Sequence, residues 1–128
     1  MKISRMITGF AGAGLLTTAA LLGAPEAAAA DHSVRTNDGD PGGVVYFTEH
    51  GDVVQVCDIE ADGWAVGVDV YWNGGEYTLK VGGNGNCRST DASEHDIPEN
   101  AYVNFRIYLY RSGTPYAYQD TAQWYNDH

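Results

Sequence analysis

The stretch Trp64-Ala65-Val66-Gly67-Val68-Asp69-Val70-Tyr71-Trp72 alternates without a break. Trp64, Val66, Val68, Val70 and Trp72 fall on one side of an extended chain, and Ala65, Gly67, Asp69 and Tyr71 on the other. A period of two, with β-branched and aromatic residues on the apolar side, specifies a half-buried strand and no helical stripe. Asn73-Gly74-Gly75 follows as a tight-turn signal. Beyond it Tyr77, Leu79 and Val81 alternate with Glu76, Thr78 and Lys80, so the two segments read as a hairpin.

Working outward, the same period recurs on both sides. Val44–Thr48 and Val53–Cys57 read as strands joined by the turn Glu49-His50-Gly51-Asp52, in which Gly51 can take positive φ. Asp58–Gly63 turns the chain into Trp64. On the other side, Gly82–Asn100 is a long polar connection, and its Ile97-Pro98-Glu99-Asn100 is expected to fold back on the core. Tyr102–Arg111 is the longest strand, with Val103, Phe105, Ile107 and Leu109 inward. Ser112-Gly113-Thr114-Pro115 then leads into a last strand from Tyr116 to about Tyr125. Six or seven short antiparallel strands at intervals of about ten residues, with no helix between them, predict an all-β, immunoglobulin-like antiparallel β-sandwich over residues 44–128. A small closed β-barrel is the alternative.

Met1–Ala30 has a basic start (Lys2, Arg5), an apolar run from Met6 to Leu22, and Pro25 before an alanine tract. This is the pattern of an export signal cleaved after Ala30, with no lipid-anchoring cysteine. Removing 30 of the 128 residues leaves 98, enough for one domain with one modest core. Asp31–Gly43, rich in Gly, Asn and Asp, is expected to be a flexible acidic arm. The whole chain carries a net charge of −10; the part after the signal has 16 acidic residues against 5 basic, a net charge of −11. That excludes a nucleic-acid partner, whose phosphates need a Lys/Arg surface, and an anionic membrane surface. No membrane insertion is expected once the signal is gone. Export also makes Cys57 and Cys87, the only two cysteines, a disulfide in an oxidising compartment.

The run Gly51-Asp52-Val53-Val54-Gln55-Val56-Cys57-Asp58-x-x-Ala61-Asp62-Gly63, the single later cysteine, and Ile97-Pro98-Glu99 leading into a long strand resemble a largely uncharacterised group of small secreted proteins of actinobacteria. The resemblance spans about Val44–Tyr125 and implies a secreted β-sandwich with no particular activity. Members of that group often carry a second cysteine pair near the last two strands, which this chain lacks.

Few residues point to chemistry. Asp58-x-Glu60-x-Asp62-Gly63, with Asp69 at the twelfth position, copies the front of a calcium loop, whose hard oxygen ligands sit at alternate positions around a glycine turn. The flanks are strands, however, and the simpler reading is a turn in which Asp62 bonds nearby backbone amides. His32, His50, His95 and His128 show no metal-ligand spacing. The serines lack a nucleophile-elbow frame, and no cofactor motif occurs. The chain therefore reads as a non-enzyme. Its suggestive feature is aromatic. If Val103–Leu109 bury one face, then Tyr102, Tyr108 and Tyr110 face outward, and Tyr116 and Tyr118 on the last strand join them. Such a row could stack on sugar rings or anchor a protein partner at an extracellular site. The alternatives are a structural or surface-associated protein, in which the row is only cross-strand packing, and a secreted protease inhibitor.

Overall fold

A computed structural model describes residues 30–128 of the 128. The expected export signal lies outside the described residues, save Ala30. Eight strands occur among those described: β1 (His32–Arg35), β2 (Gly43–Thr48), β3 (Val53–Asp58), β4 (Ala65–Trp72), β5 (Gly75–Val81), β6 (Cys87–Thr90), β7 (Ala101–Arg111) and β8 (Thr114–Asn126). They form two four-stranded antiparallel sheets, ordered β1-β2-β3-β6 and β5-β4-β7-β8. The chain changes sheet between β3 and β4, between β5 and β6, and again before β7, which is the immunoglobulin-like arrangement with one added N-terminal strand. Two separate sheets rule out the closed barrel.

The alternating residues make the core. Val66, Val68 and Val70 of β4 and Val103, Phe105, Ile107 and Leu109 of β7 face Val45, Phe47, Val54 and Val56 of the first sheet, all of them buried. Phe47 meets Phe105 at 5.1 Å between ring centroids, and Phe105 meets Trp124 of β8 at 4.8 Å. Each such side chain removed from water contributes about 1.5–3 kcal/mol. Ile97, from the connection before β7, is fully buried among them, so the segment does fold back as its sequence suggests. Asp52 locks it there: one carboxylate oxygen accepts from the Ile97 amide (3.0 Å) and the other from Asn126 Nδ2 (3.1 Å). Its backbone is left-handed (φ 53°), a conformation aspartate tolerates better than most residues.

Two segments depart from the sequence reading. The first part of the expected flexible arm is a strand: His32–Arg35 pairs with Phe47–Val44, and the His32 ring stacks on Trp124 at 4.7 Å. Thr36 Oγ1 then accepts from the Gly42 and Gly43 amides. Four residues are too few to show a period, and the pairing depends on the open edge of β2. Gly43 must be glycine, since an added Cβ would lie 2.9 Å from Val66 Cγ2 of the opposite sheet. Likewise Cys87 lies not in a loop but at the start of β6, directly opposite Cys57 on β3, and the two are bonded. Cys87, Arg88 and Ser89 are exposed, so this edge strand carries no apolar signal.

Candidate sheet-face binding site

The outer face of the second sheet collects the outward residues of β4, β5, β7 and β8. At its centre Asp69 and Arg106 stand opposite each other on adjacent strands. One Asp69 oxygen accepts from Arg106 Nε (3.1 Å) and Nη2 (2.5 Å); the other accepts from Thr78 Oγ1 (2.8 Å) and the Tyr108 hydroxyl (3.2 Å). The hydrogen bonds that Arg106 donates to Asp69 raise its pKa further. Beside it opens a cleft of about 400 Å³ lined by Asp69, Tyr71, Glu76, Thr78, Arg106 and Tyr116. Further along the face, Gln123 Nε2 donates to Asn104 Oδ1 (2.9 Å), and Asn104 Nδ2 donates to the Tyr71 carbonyl. The face ends at Tyr102 and Tyr125, whose rings meet edge-on at 5.1 Å.

The structure splits the expected tyrosine row. Tyr102 and Tyr116 are exposed, at 59% and 51%. Tyr110 is half-buried beneath the Lys80 ammonium, 4.9 Å from its ring centre. Tyr108 does point outward, yet it is only 2% exposed. It lies flat on Gly67, where an added Cβ would sit 2.6 Å from its Cζ, and Tyr116 covers it edge-on at 4.8 Å. Burial, with the Asp69 charge next in effect, pushes its hydroxyl well above the ordinary tyrosine pKa. Tyr108 is therefore a floor for the site and not a contact. Tyr118 leaves the row altogether. The pairing of β7 with β8 shifts between Ile107 and Leu109, and Tyr118 takes a left-handed backbone (φ 50°). Its ring meets Trp64 edge-on at 5.9 Å, while Arg111 stacks on Trp64 at 4.0 Å. A bulge resets alternation, which strand periodicity cannot foresee. Tyr71, Glu76 and Asn104 were legible only as outward positions, because which of them meet is a matter of register. Gln123 and Tyr125 fall on the inward side when alternation is counted from Tyr116, and reach the outer face through the bulge.

The calcium-loop pattern is not assembled. Asp69 belongs to the centre of the second sheet, held by Arg106. Asp58 is buried and accepts from the Glu60 amide, while Asp62 accepts from the Trp64 amide at 2.9 Å, as in an ordinary turn. Instead Asp38 joins Glu60 and Asp62, their carboxylate oxygens all within 4.8 Å of one another. A hydrogen bond with Asp40, and the charges of Asp40, Asp62 and Asp38, push the Glu60 pKa up to about 7. The folded state thus holds this proton more tightly than the unfolded chain, where the value is 4.5. Stability from this group is complete below pH 4.5 and is lost as pH rises towards 7. Thermal midpoints measured across that window should fall more steeply for the native protein than for Glu60→Gln, which keeps the hydrogen bond without the charge. Equal slopes would refute the assignment.

No protein-family model matches this chain, and no curated protein or solved structure is detectably similar to it. The class rests on the fold and the face themselves: an immunoglobulin-like β-sandwich presenting an aromatic-rimmed polar sheet surface.

Proposed function

We propose that this chain is a small secreted, non-enzymatic module that binds an extracellular glycan on the outer face of the β5-β4-β7-β8 sheet. The observation that carries this reading is the layout of the face. Exposed rings of Tyr71, Tyr116, Tyr102 and Tyr125 surround a strip of hydrogen-bonding groups from Arg106, Thr78, Asn104 and Gln123. A sugar offers an apolar C–H face to stack on a ring and a hydroxyl edge for planar amides and guanidinium. A protein-binding hot spot is built the other way round, with aromatic anchors at a desolvated centre and charges depleted there. Here the charges are central and the rings peripheral. Hydrolysis is disfavoured because Asp69 already accepts from four donor atoms, leaving Glu76 as the cleft's free carboxylate, and glycosidases commonly use two. A structural role and protease inhibition have no comparable observation in their favour.

Export is supported by the Cys57–Cys87 disulfide, which an oxidising compartment maintains. Among the described residues no helix is long and apolar enough to cross a membrane.

The test uses residues 31–128 against a panel of soluble and insoluble polysaccharides. Tyr71→Ala and Tyr102→Ala should each weaken binding by roughly 1–3 kcal/mol, the range for loss of an aromatic anchor. Both rings are solvent-exposed, so the thermal midpoint should move by no more than a few degrees. Absence of binding across the panel, or binding indifferent to both substitutions, would end the proposal.

A further inference from the structure

We infer that the ligand is an uncharged polysaccharide, bearing hydroxyl or acetamido groups, and that Asp69 makes the face reject polyanions. This rests on the glycan-binding reading above and names the substrate class for the same site. The argument is one of charge placement. Guanidinium groups ordinarily draw carboxylates and phosphates to a surface, because their fork matches such oxygens in pairs. Arg106 is the guanidinium that lines the cleft, and two of its nitrogens are already spent on one Asp69 oxygen. Its charge is cancelled within a single hydrogen-bond length. The remaining acidic side chain of the cleft lining is Glu76, which is exposed on the neighbouring strand. Lys80 sits over the Tyr110 ring and is not part of that lining. A uronic-acid or phosphate polymer laid along β7 would therefore meet a neutral pair, a free carboxylate, and the field of a chain carrying −10 overall.

What the strip does offer is neutral. Asn104 and Gln123 present amides, Thr78 a hydroxyl, and Arg106 N–H groups with no net charge behind them once Asp69 is counted. Tyr102 and Tyr108 are six residues apart on β7, so the strip between the far tyrosine pair and the ring of Tyr116 above Tyr108 runs for about 20 Å. That length suits several consecutive sugar units of an extended chain. Because no ion pair with the ligand is involved, binding should be nearly independent of salt, unlike attraction between exposed charges.

The experiment measures retention of the protein on columns of immobilised polysaccharide, comparing neutral polymers (a β-glucan and an N-acetylglucosamine polymer) with polygalacturonate, at low and high salt. The native protein should be retained on at least one neutral column equally at both salt concentrations and should pass through polygalacturonate. Asp69→Asn leaves Arg106 uncompensated; it should gain at least several-fold retention on polygalacturonate at low salt and lose it at high salt. Glu76→Gln, an exposed change with little effect on folding, should shift retention the same way by a smaller factor and covers the case in which Asp69→Asn does not fold. Native retention on polygalacturonate equal to or above that on the neutral columns would overturn the inference while leaving the glycan reading standing. A folded Asp69→Asn protein with no gain would overturn the role given to Asp69. Passage through every column would remove both readings together.

Discussion

Tyr108→Ala is expected to lower the thermal midpoint by about 12–24 °C. The ring is 2% exposed although it stands on the outer face, because Gly67 lies beneath it and Tyr116 above. Deleting a buried aromatic side chain leaves a cavity and costs about 3 kcal/mol or more; for a domain of this size each kcal/mol is worth about 4–8 °C. The loss also removes the hydroxyl that donates to Asp69 at 3.2 Å, loosening the partner of Arg106. Tyr108→Phe separates the two contributions. It keeps the ring and forfeits one hydrogen bond, so it should cost only about 1 kcal/mol. Calorimetry of the two variants beside Tyr102→Ala provides the check. If Tyr108→Ala melts within a few degrees of the native protein, the ring is not the floor of the site.

The second large effect concerns the sole disulfide. Replacing Cys57 and Cys87 together by serine should cost roughly 3.5 kcal/mol in the chain-entropy account, for a closed loop of about 31 residues. The structure adds where the damage begins. The bond joins directly opposed residues of β3 and β6, and β6 is a four-residue edge strand with three exposed residues. Little besides the bond and the ladder to β3 fixes that strand, apart from Thr90, whose hydroxyl lies 3.3 Å from that of Tyr77. Amide exchange should accelerate first in Cys87–Thr90 and the flanking turn, whereas β4 and β7 should stay protected until global unfolding. Uniform acceleration in every strand would contradict this order.

The outer-face polar network and the acidic cluster place opposite demands on electrostatics. At the sheet centre, opposite charges are paired and held by neutral donors, and the Arg106 pKa is raised. At the far turn, like charges from two segments meet, and Glu60 responds by holding its proton up to about pH 7. The first arrangement organises a surface; the second makes stability depend on pH without touching that surface.

By itself the sequence determined the class of fold, the inward faces of β4, β5 and β7, and the disulfide partners. Alternation in Trp64–Trp72 and Tyr102–Arg111 leaves one way to bury valine and phenylalanine, and two cysteines leave one pairing. It also placed Asp69, Arg106 and the tyrosines of β7 on the outward side, since a period of two assigns a face to each residue. It did not determine which outward residues touch. Asp69 meets Arg106, and Tyr116 covers Tyr108, only through the register of three strands drawn from distant parts of the chain. The same holds for β1 and β6, whose short polar segments become strands because an open neighbouring edge accepts their hydrogen bonds. Tyr118 is turned away by a left-handed residue at a bulge, a backbone choice made by the whole sheet and not by tyrosine's own preference. Facing is a local property of an extended chain, whereas contact and burial on a sheet surface are set by neighbours that only tertiary pairing supplies.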